Sequence, residues 1–195
     1  MSADFRDIVV HGTPEDVRKV SAERELSEWL RINRFCGCCG AMMMLHSNPR
    51  ERAFVCPKCG YSAYPKIAPA IIVLVTKGDR ILLQRNTHYK GVIWSLVAGF
   101  VDAGENLEDA VRREISEEAS IEVGNIRYFG SQTWPYPSNI MIGFRAEYVS
   151  GELKPDGEEV VESGWFARDN LPEIPRPGSI ARAMIDFWMG EKTQY

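Results

Sequence analysis

The sequence of 195 residues contains no apolar run approaching the roughly 20 residues that cross a bilayer. Its first residues, MSADFRDIVVHG, have neither the positive n-region nor the apolar stretch of a secretory signal. A soluble, cytoplasmic protein is therefore expected. Positive charge is not in excess: Lys plus Arg total 23 against 27 Asp plus Glu, a formal net charge of −4. That balance argues against a protein that grips nucleic acid mainly by neutralising phosphates. Internal repeats and low-complexity stretches are also missing. Hydrophobic residues at 45% and charged residues at 26% are the proportions of a folded globular chain. The length suits one domain with a small appendage.

Cysteine is absent outside residues 36–59, and there its spacing carries information. Cys36-Gly-Cys38-Cys39-Gly40 and Cys56-Pro-Lys-Cys59-Gly60 form two knuckles separated by 16 residues. Paired C-x-x-C knuckles at this separation are the pattern of a four-thiolate tetrahedral zinc site, with Cys36, Cys39, Cys56 and Cys59 as ligands. Four thiolates leave no open position for chemistry, so this Zn²⁺ is read as structural. Disulfides are disfavoured in a reducing compartment, and a redox C-x-x-C does not explain two matched knuckles. Cys38 is left as a free thiol, with His46 as a weaker substitute ligand.

Ahead of the knuckles, Thr13-Pro14-Glu15-Asp16 is a helix start, with an N-cap, Pro at the first position and early acidic residues. A helix over about 14–33 should present Val17, Val20, Leu26, Trp29 and Leu30 to a partner. Beyond Gly60, strands are expected at Ala68–Thr76, Arg80–Gln84 and Trp94–Val101. A helix over about 106–119 follows, then strands near 125–132, 140–149 and 160–166, and a final helix near 179–189 capped by Ser179. The order is that of a mixed α/β domain behind a small zinc module. The segments are a helical 1–34, a zinc ribbon at 35–62 and the α/β domain at 63–195.

The helix over 106–119 has carboxylates in an unusual place. At about 100° per residue from Leu107, Val111, Ile115 and Ala119 fall at about 40°, 80° and 120° and define the buried stripe. Glu118 lies inside that stripe at about 20°, Glu114 at its edge and Glu117 one step further round. Inward carboxylates are costly unless paired or bound to metal, and Glu114 and Glu118, at i and i+4, can reach one cation cluster.

Gly99, Glu105 and the run Arg113-Glu114-Ile115-Ser116-Glu117-Glu118-Ala119-Ser120-Ile121 resemble the Nudix box, G-x5-E-x7-R-E-U-x-E-E-x-G-U, of diphosphate-cleaving hydrolases. Every fixed position matches except Ser120, where the family has a Gly that ends the helix in a left-handed turn. The resemblance implies a Nudix-type mixed-sheet α/β/α sandwich. It also implies metal-assisted attack of water on a nucleoside diphosphate, with two or three Mg²⁺ or Mn²⁺ ions. Glu114 and Glu118 would then be metal ligands, beside the Ala98 carbonyl. Glu118 or Glu117 would be the general base, Arg113 would orient the carboxylates, and Glu105 would support the loop or a metal.

A cysteine ribbon before such a domain, together with Ser131-Gln132-Thr133-Trp134-Pro135-Tyr136-Pro137-Ser138-Asn139, narrows the resemblance. This run is similar to S-Q-P-W-P-F-P-x-S of the NADH pyrophosphatase subfamily, whose members also remove NAD caps from RNA. It departs at Thr133, Tyr136 and Asn139. The segments Tyr64–Ala70, Ala98–Val101 and Pro175–Arg182 look like the same subfamily. The likeness implies hydrolysis of NADH or NAD⁺, free or as an RNA cap, to nicotinamide mononucleotide and AMP. Phe100 would stack on a base, while Glu51, Tyr64, Gln132, Thr133, Trp134, Pro135, Tyr136, Pro137, Ser138, Asn139 and Ala181 would contact substrate. Glu159 would add a metal carboxylate, with Glu162 as its rival. A homodimer is implied as well. Subfamily members usually carry a further N-terminal domain, whereas 35 residues precede Cys36 here. Two alternatives stand beside this reading. One is a broader pyrophosphatase acting on ADP-ribose, FAD or similar compounds. The other is a nucleotide-holding binding module, disfavoured by a near-neutral ribbon (Arg34, Arg50, Arg52 and Lys58 against Glu51) and by the three retained glutamates.

Overall fold

The computed structural model describes residues 7–8, 12–87 and 92–190. Helix α1 spans Pro14–Ile32 and begins with a reciprocal capping box, the Thr13 hydroxyl accepting from the Asp16 N–H while the Asp16 carboxylate accepts from the Thr13 N–H. Of the five residues expected to face a partner, Trp29 is buried and Leu26 packs beside it, whereas Leu30 is 44% exposed. Leu30 points away because the partner is small: Trp29 inserts among Cys36, Met43, Phe54, Cys56 and Ala63, its ring centroid 4.9 Å from that of Phe54.

That partner is a three-stranded antiparallel sheet of two-residue strands, β1 (Met44–Leu45), β2 (Phe54–Val55) and β3 (Ser62–Ala63). The two knuckles repeat one backbone pattern. Cys36 N–H donates to Ala41 and Cys56 N–H to Tyr61, while Gly40 and Gly60 donate back to the carbonyls of Cys36 and Cys56. Both glycines have φ near +75° (+73° and +76°), the left-handed conformation that only Gly adopts cheaply. The thiols of Cys36, Cys39, Cys56 and Cys59 lie within 4.8 Å of one another and could hold a metal ion. Cys38 and His46 stand outside that group.

The larger unit is a six-stranded mixed sheet: β4 (Ala68–Lys77), β5 (Arg80–Asn86), β6 (Val97–Phe100), β7 (Ile121–Trp134), β8 (Asn139–Gly151) and β9 (Val160–Ala167). Its order is β7-β8-β4-β5-β9, with β6 also pairing β4. Central β4 runs parallel to β8 and antiparallel to β6 and β5. Being covered on both faces, it reads as a continuous apolar run. Ile71, Val73 and Val75 face helix α2 (Leu107–Ala119), whereas Ile72 and Leu74 face helix α3 (Ile180–Met189). This is an α/β/α sandwich. Among the described residues no helix is long and apolar enough to cross a membrane.

Three strands differ most from expectation, while β5 runs two residues further, to Asn86. β6 begins at Val97 rather than Trp94, because Trp94 N–H donates to Glu173 and Ser95 bridges to Gln84 of β5. β7 and β8 extend beyond 125–132 and 140–149, forming one long hairpin from Ile121 to Gly151. Register shifts near Glu122, Gly124 and Tyr128 break the alternation by which its length would be read.

Ser120 ends α2 at φ 57°, ψ 30°, in the left-handed region. A non-glycine residue there carries a penalty of roughly 1 kcal/mol. Ser120→Gly should therefore raise thermal stability by about 1 kcal/mol, a few degrees in Tm for a chain of this size. A melting curve unchanged or shifted downward would show that the turn is not strained.

Candidate active site

Helix α2 is positioned by its apolar stripe. Val111, Ile115 and Ala119 are fully buried against β4, β6 and β7, and Asn106 caps the helix by accepting from the Asp109 N–H. This orientation carries Glu118 inward to 5% exposure. The Glu114 side chain is 12% exposed, while that of Glu117 remains 58% exposed. The Glu114 carboxylate fills the space beside Gly99 on β6, and any Cβ at that position would overlap it. Here the absence of a side chain is required by close approach.

Arg113 organises the surrounding charges. Its Nε and Nη2 donate to the two oxygens of Glu105 at 2.6 and 2.9 Å, a bidentate fork. Nη1 donates to Glu114 at 2.9 Å and to Glu117 at 3.0 Å, and Nη2 also reaches the Phe100 carbonyl at 2.8 Å. The Arg113 hydrogen bonds, with the Asp102 N–H assisting, pull the Glu105 carboxyl down to about 2. Glu114 moves the other way: burial raises its pKa despite Arg113. Among the described residues Glu118 has no such cation. Burial, followed by the charges of Glu114, Glu159, Asp156 and Glu117, pushes it up to about 8. Two inward carboxylates on one helix thus have too little positive charge among the described residues.

Glu159 lies in the exposed turn before β9, where Asp156 accepts from the N–H groups of Glu158, Glu159 and Val160. Its charge acts on both Glu114 and Glu118. Glu162 is engaged elsewhere, paired with Arg85 at 2.8 Å. Ala98 sits on β6 opposite Ile72. In the described residues the carboxylates do not converge as the cysteines do; the cysteine quartet alone has three or more ligand atoms within 4.8 Å.

The aromatic segment occupies the end of the β7–β8 hairpin. Gln132 accepts from Ile180 N–H at 2.8 Å and donates to the Gly178 carbonyl at 2.7 Å, joining β7 to the start of α3, where Ala181 is buried. Ser138 donates to the Lys66 carbonyl and Asn139 to that of Tyr136. Trp134 and Tyr136 are partly exposed with ring centroids 5.7 Å apart, Pro135 is buried and Pro137 exposed. Helix α1 braces the turn: Arg24 donates to the Pro135 carbonyl at 2.9 Å and lies over the Tyr136 ring at 4.5 Å, and Thr133 donates to Glu25. Phe100 and Tyr64 present exposed rings, and Glu51 lies in an exposed turn of the cysteine-bearing segment.

Sequence reasoning did not single out Arg24, Glu25 or Gln84. Gln84 is buried on β5 and donates to the Glu118 carbonyl at 3.2 Å, holding the end of α2. The only local signal for it was a polar residue closing an apolar strand.

A helix that turns glutamates toward a glycine-bearing strand, with an arginine bridging them, places acidic oxygen donors together on one side of the sheet. Residues 66–186 match the NUDIX domain, and the chain belongs to the Nudix family of hydrolases. It is 42% identical over 191 residues to the NAD-capped RNA hydrolase NudC of Pseudomonas aeruginosa, covering 98% of this chain and 68% of that protein. The protein of the same name from Stutzerimonas stutzeri is 40% identical over 188 residues, covering 96% and 67%. A NUDIX hydrolase structure from Nitrosomonas europaea superposes with a TM-score of 0.66 at 25% identity, covering 83% of this chain and 96% of that one. A UDP-X diphosphatase structure shares the fold at a TM-score of 0.54 and 19% identity, over 96% and 89%.

The raised pKa of Glu118 has a consequence for stability. Between about 4.5 and 8 the folded chain binds more protons at this position than the unfolded chain, so the contribution is present at low pH and lost as pH rises toward 8. Without added divalent cations, Glu118→Gln should therefore be more stable than wild type at pH 8, by on the order of 2 kcal/mol, with the difference shrinking toward pH 5. Melting curves across that range check this; a pH-independent difference would contradict it.

Proposed function

We propose that this chain hydrolyses the diphosphate of NADH or NAD⁺, free or as the cap of an RNA, to nicotinamide mononucleotide and AMP. The observation that carries the reading is the pair of inward carboxylates on α2: Glu114 lies against Gly99 and accepts from Arg113, and Glu118 is buried where Gln84 holds its backbone carbonyl. Buried carboxylates short of positive charge are a donor set for hard divalent cations. Glu114, Glu118 and Glu159, with the Ala98 carbonyl, would hold Mg²⁺ or Mn²⁺. Bound there, the cations would neutralise the diphosphate and lower the pKa of the attacking water.

The chain's own residues do the rest. Arg113 keeps Glu105 and Glu114 in register through its fork. Glu118, or Glu117 at the exposed edge, takes the proton of the water as its oxygen bonds to phosphorus and the bridging P–O bond breaks. Phe100, Tyr64, Glu51, Ala181 and the run from Gln132 to Asn139 form the substrate surface, and α1 fixes that run through Arg24 and Glu25. Glu159 is favoured over Glu162 as the added carboxylate because Arg85 already neutralises Glu162. The four thiolates suit a structural Zn²⁺. A homodimer accompanies this reading, and the exposed Phe35, Met42, Met44 and Leu45 offer apolar surface that a second copy could cover.

The named relatives support an NAD-bearing substrate. The departures at Thr133, Tyr136 and Asn139 keep ADP-ribose and FAD as the second reading. A hydrolysis panel of NADH, NAD⁺, ADP-ribose, FAD and NAD-capped RNA, with Mg²⁺ or Mn²⁺ and Glu118→Gln as blank, separates the two. The expected result is AMP plus nicotinamide mononucleotide, with turnover falling by about 10³ or more in the variant. Faster cleavage of ADP-ribose or FAD would transfer the assignment to the broader activity, and full activity in the variant would overturn the site.

A further inference from the structure

On the α3 face of the sheet lies a half-open pocket of about 140 Å³, lined by Leu74, Thr76, Asn125, Arg127, Arg145 and Trp188 among others. Arg127 and Arg145 are directly opposed on β7 and β8. Like charges facing each other across two strands destabilise a sheet unless something neutralises them. Neither arginine has an ion-pair partner among the described residues. Arg127 donates from Nε to Asn125 at 2.9 Å. Arg145 lies over the Phe187 ring at 4.8 Å, yet its Nε is buried with no acceptor among the described residues. Stacking orients the guanidinium plane but satisfies none of its five donors, and a buried unmet donor is costly. Glu147, the carboxylate in the lining, accepts from the Asn125 amide through one oxygen and makes no ion pair with either arginine among the described residues.

We propose that the Arg127–Arg145 pocket binds a phosphate group. Two guanidinium forks from adjacent strands match the charge and the several acceptor oxygens of a tetrahedral phosphate better than those of a single carboxylate. The Phe187 and Trp188 rings wall the pocket on the α3 side. The glutamates of α2 flank the opposite face of the sheet, so the pocket is separate from the candidate active site and its occupancy does not depend on the hydrolysis reading. The phosphate could be free in solution or part of an RNA backbone, as on a capped substrate.

The test follows the arginine Nε–H resonances of the ¹⁵N-labelled full chain, assigned with Arg145→Lys and Arg127→Lys, without added Mg²⁺ or Mn²⁺. The probes are inorganic phosphate and a five-nucleotide RNA lacking terminal phosphates, each against chloride at matched ionic strength. Saturable movement of the Arg145 resonance by phosphate is expected, with binding abolished in Arg145→Gln and weakened about fivefold or more in Arg127→Gln. Saturation by the RNA at about tenfold lower concentration would assign the site to phosphodiesters; response to phosphate alone would assign it to free phosphate. Hydrolysis of small dinucleotides should be unchanged in Arg145→Gln. If that variant melts well below wild type, Arg127→Gln and Arg145→Lys carry the comparison. No movement with either probe, or movement equal to that with chloride, would overturn the proposal.

Discussion

The guanidinium of Arg113 is the interaction on which the site depends. One side chain grips both oxygens of Glu105, one each of Glu114 and Glu117, and the carbonyl of Phe100. Glu105 in turn accepts from the Asp102 N–H, so the loop between β6 and α2 is tied to the helix that follows it. A single cation facing three carboxylates leaves net negative charge. Burial, with the charge of Glu114 and its neighbours, keeps a proton on Glu118, which Arg113 does not reach. The arrangement gives up stability so that a carboxylate is waiting where positive charge must arrive.

The remainder of the fold holds that charge in place. Alternate residues of β4 send one set of side chains to α2 and the other to α3, which makes the central strand a common wall for both layers. Gln84 reaches across from β5 to the last turn of α2. Helix α1 links the cysteine-bearing sheet to the β7–β8 turn: Trp29 belongs to the small core, while Arg24 and Glu25, about one turn earlier, hold Pro135, Tyr136 and Thr133. The segment that carries the aromatic rings is therefore braced by a helix more than a hundred residues away in sequence.

Much of this was legible in the sequence where the determinants are local. Knuckle spacing identified the four cysteines that converge, the capping residues Thr13 and Ser179 stand where helices begin, and helical periodicity alone turned Glu118 inward. Ser120 was marked as a residue in a glycine's place and adopts the glycine's conformation. What sequence could not reveal was non-local. The parallel pairing of β4 with β8, the burial of Gln84, the hold of Arg24 on Tyr136 and the opposition of Arg127 to Arg145 depend on strand order and register, which bulges at Gly124 and Tyr128 hide from any periodic pattern. Leu30 shows the reverse failure, since a helical stripe says which residues share a face but not how wide the partner is.

On the proposed reading, Glu118 keeps its proton near neutral pH until a divalent cation displaces it. Calorimetric titration of Mg²⁺ or Mn²⁺ into the protein at pH 7, in buffers of different ionisation enthalpy, counts the protons released on binding. Release of about one proton per site filled, falling as pH is raised past 8, is the predicted result. Cation binding with no proton release at pH 7 would contradict the account.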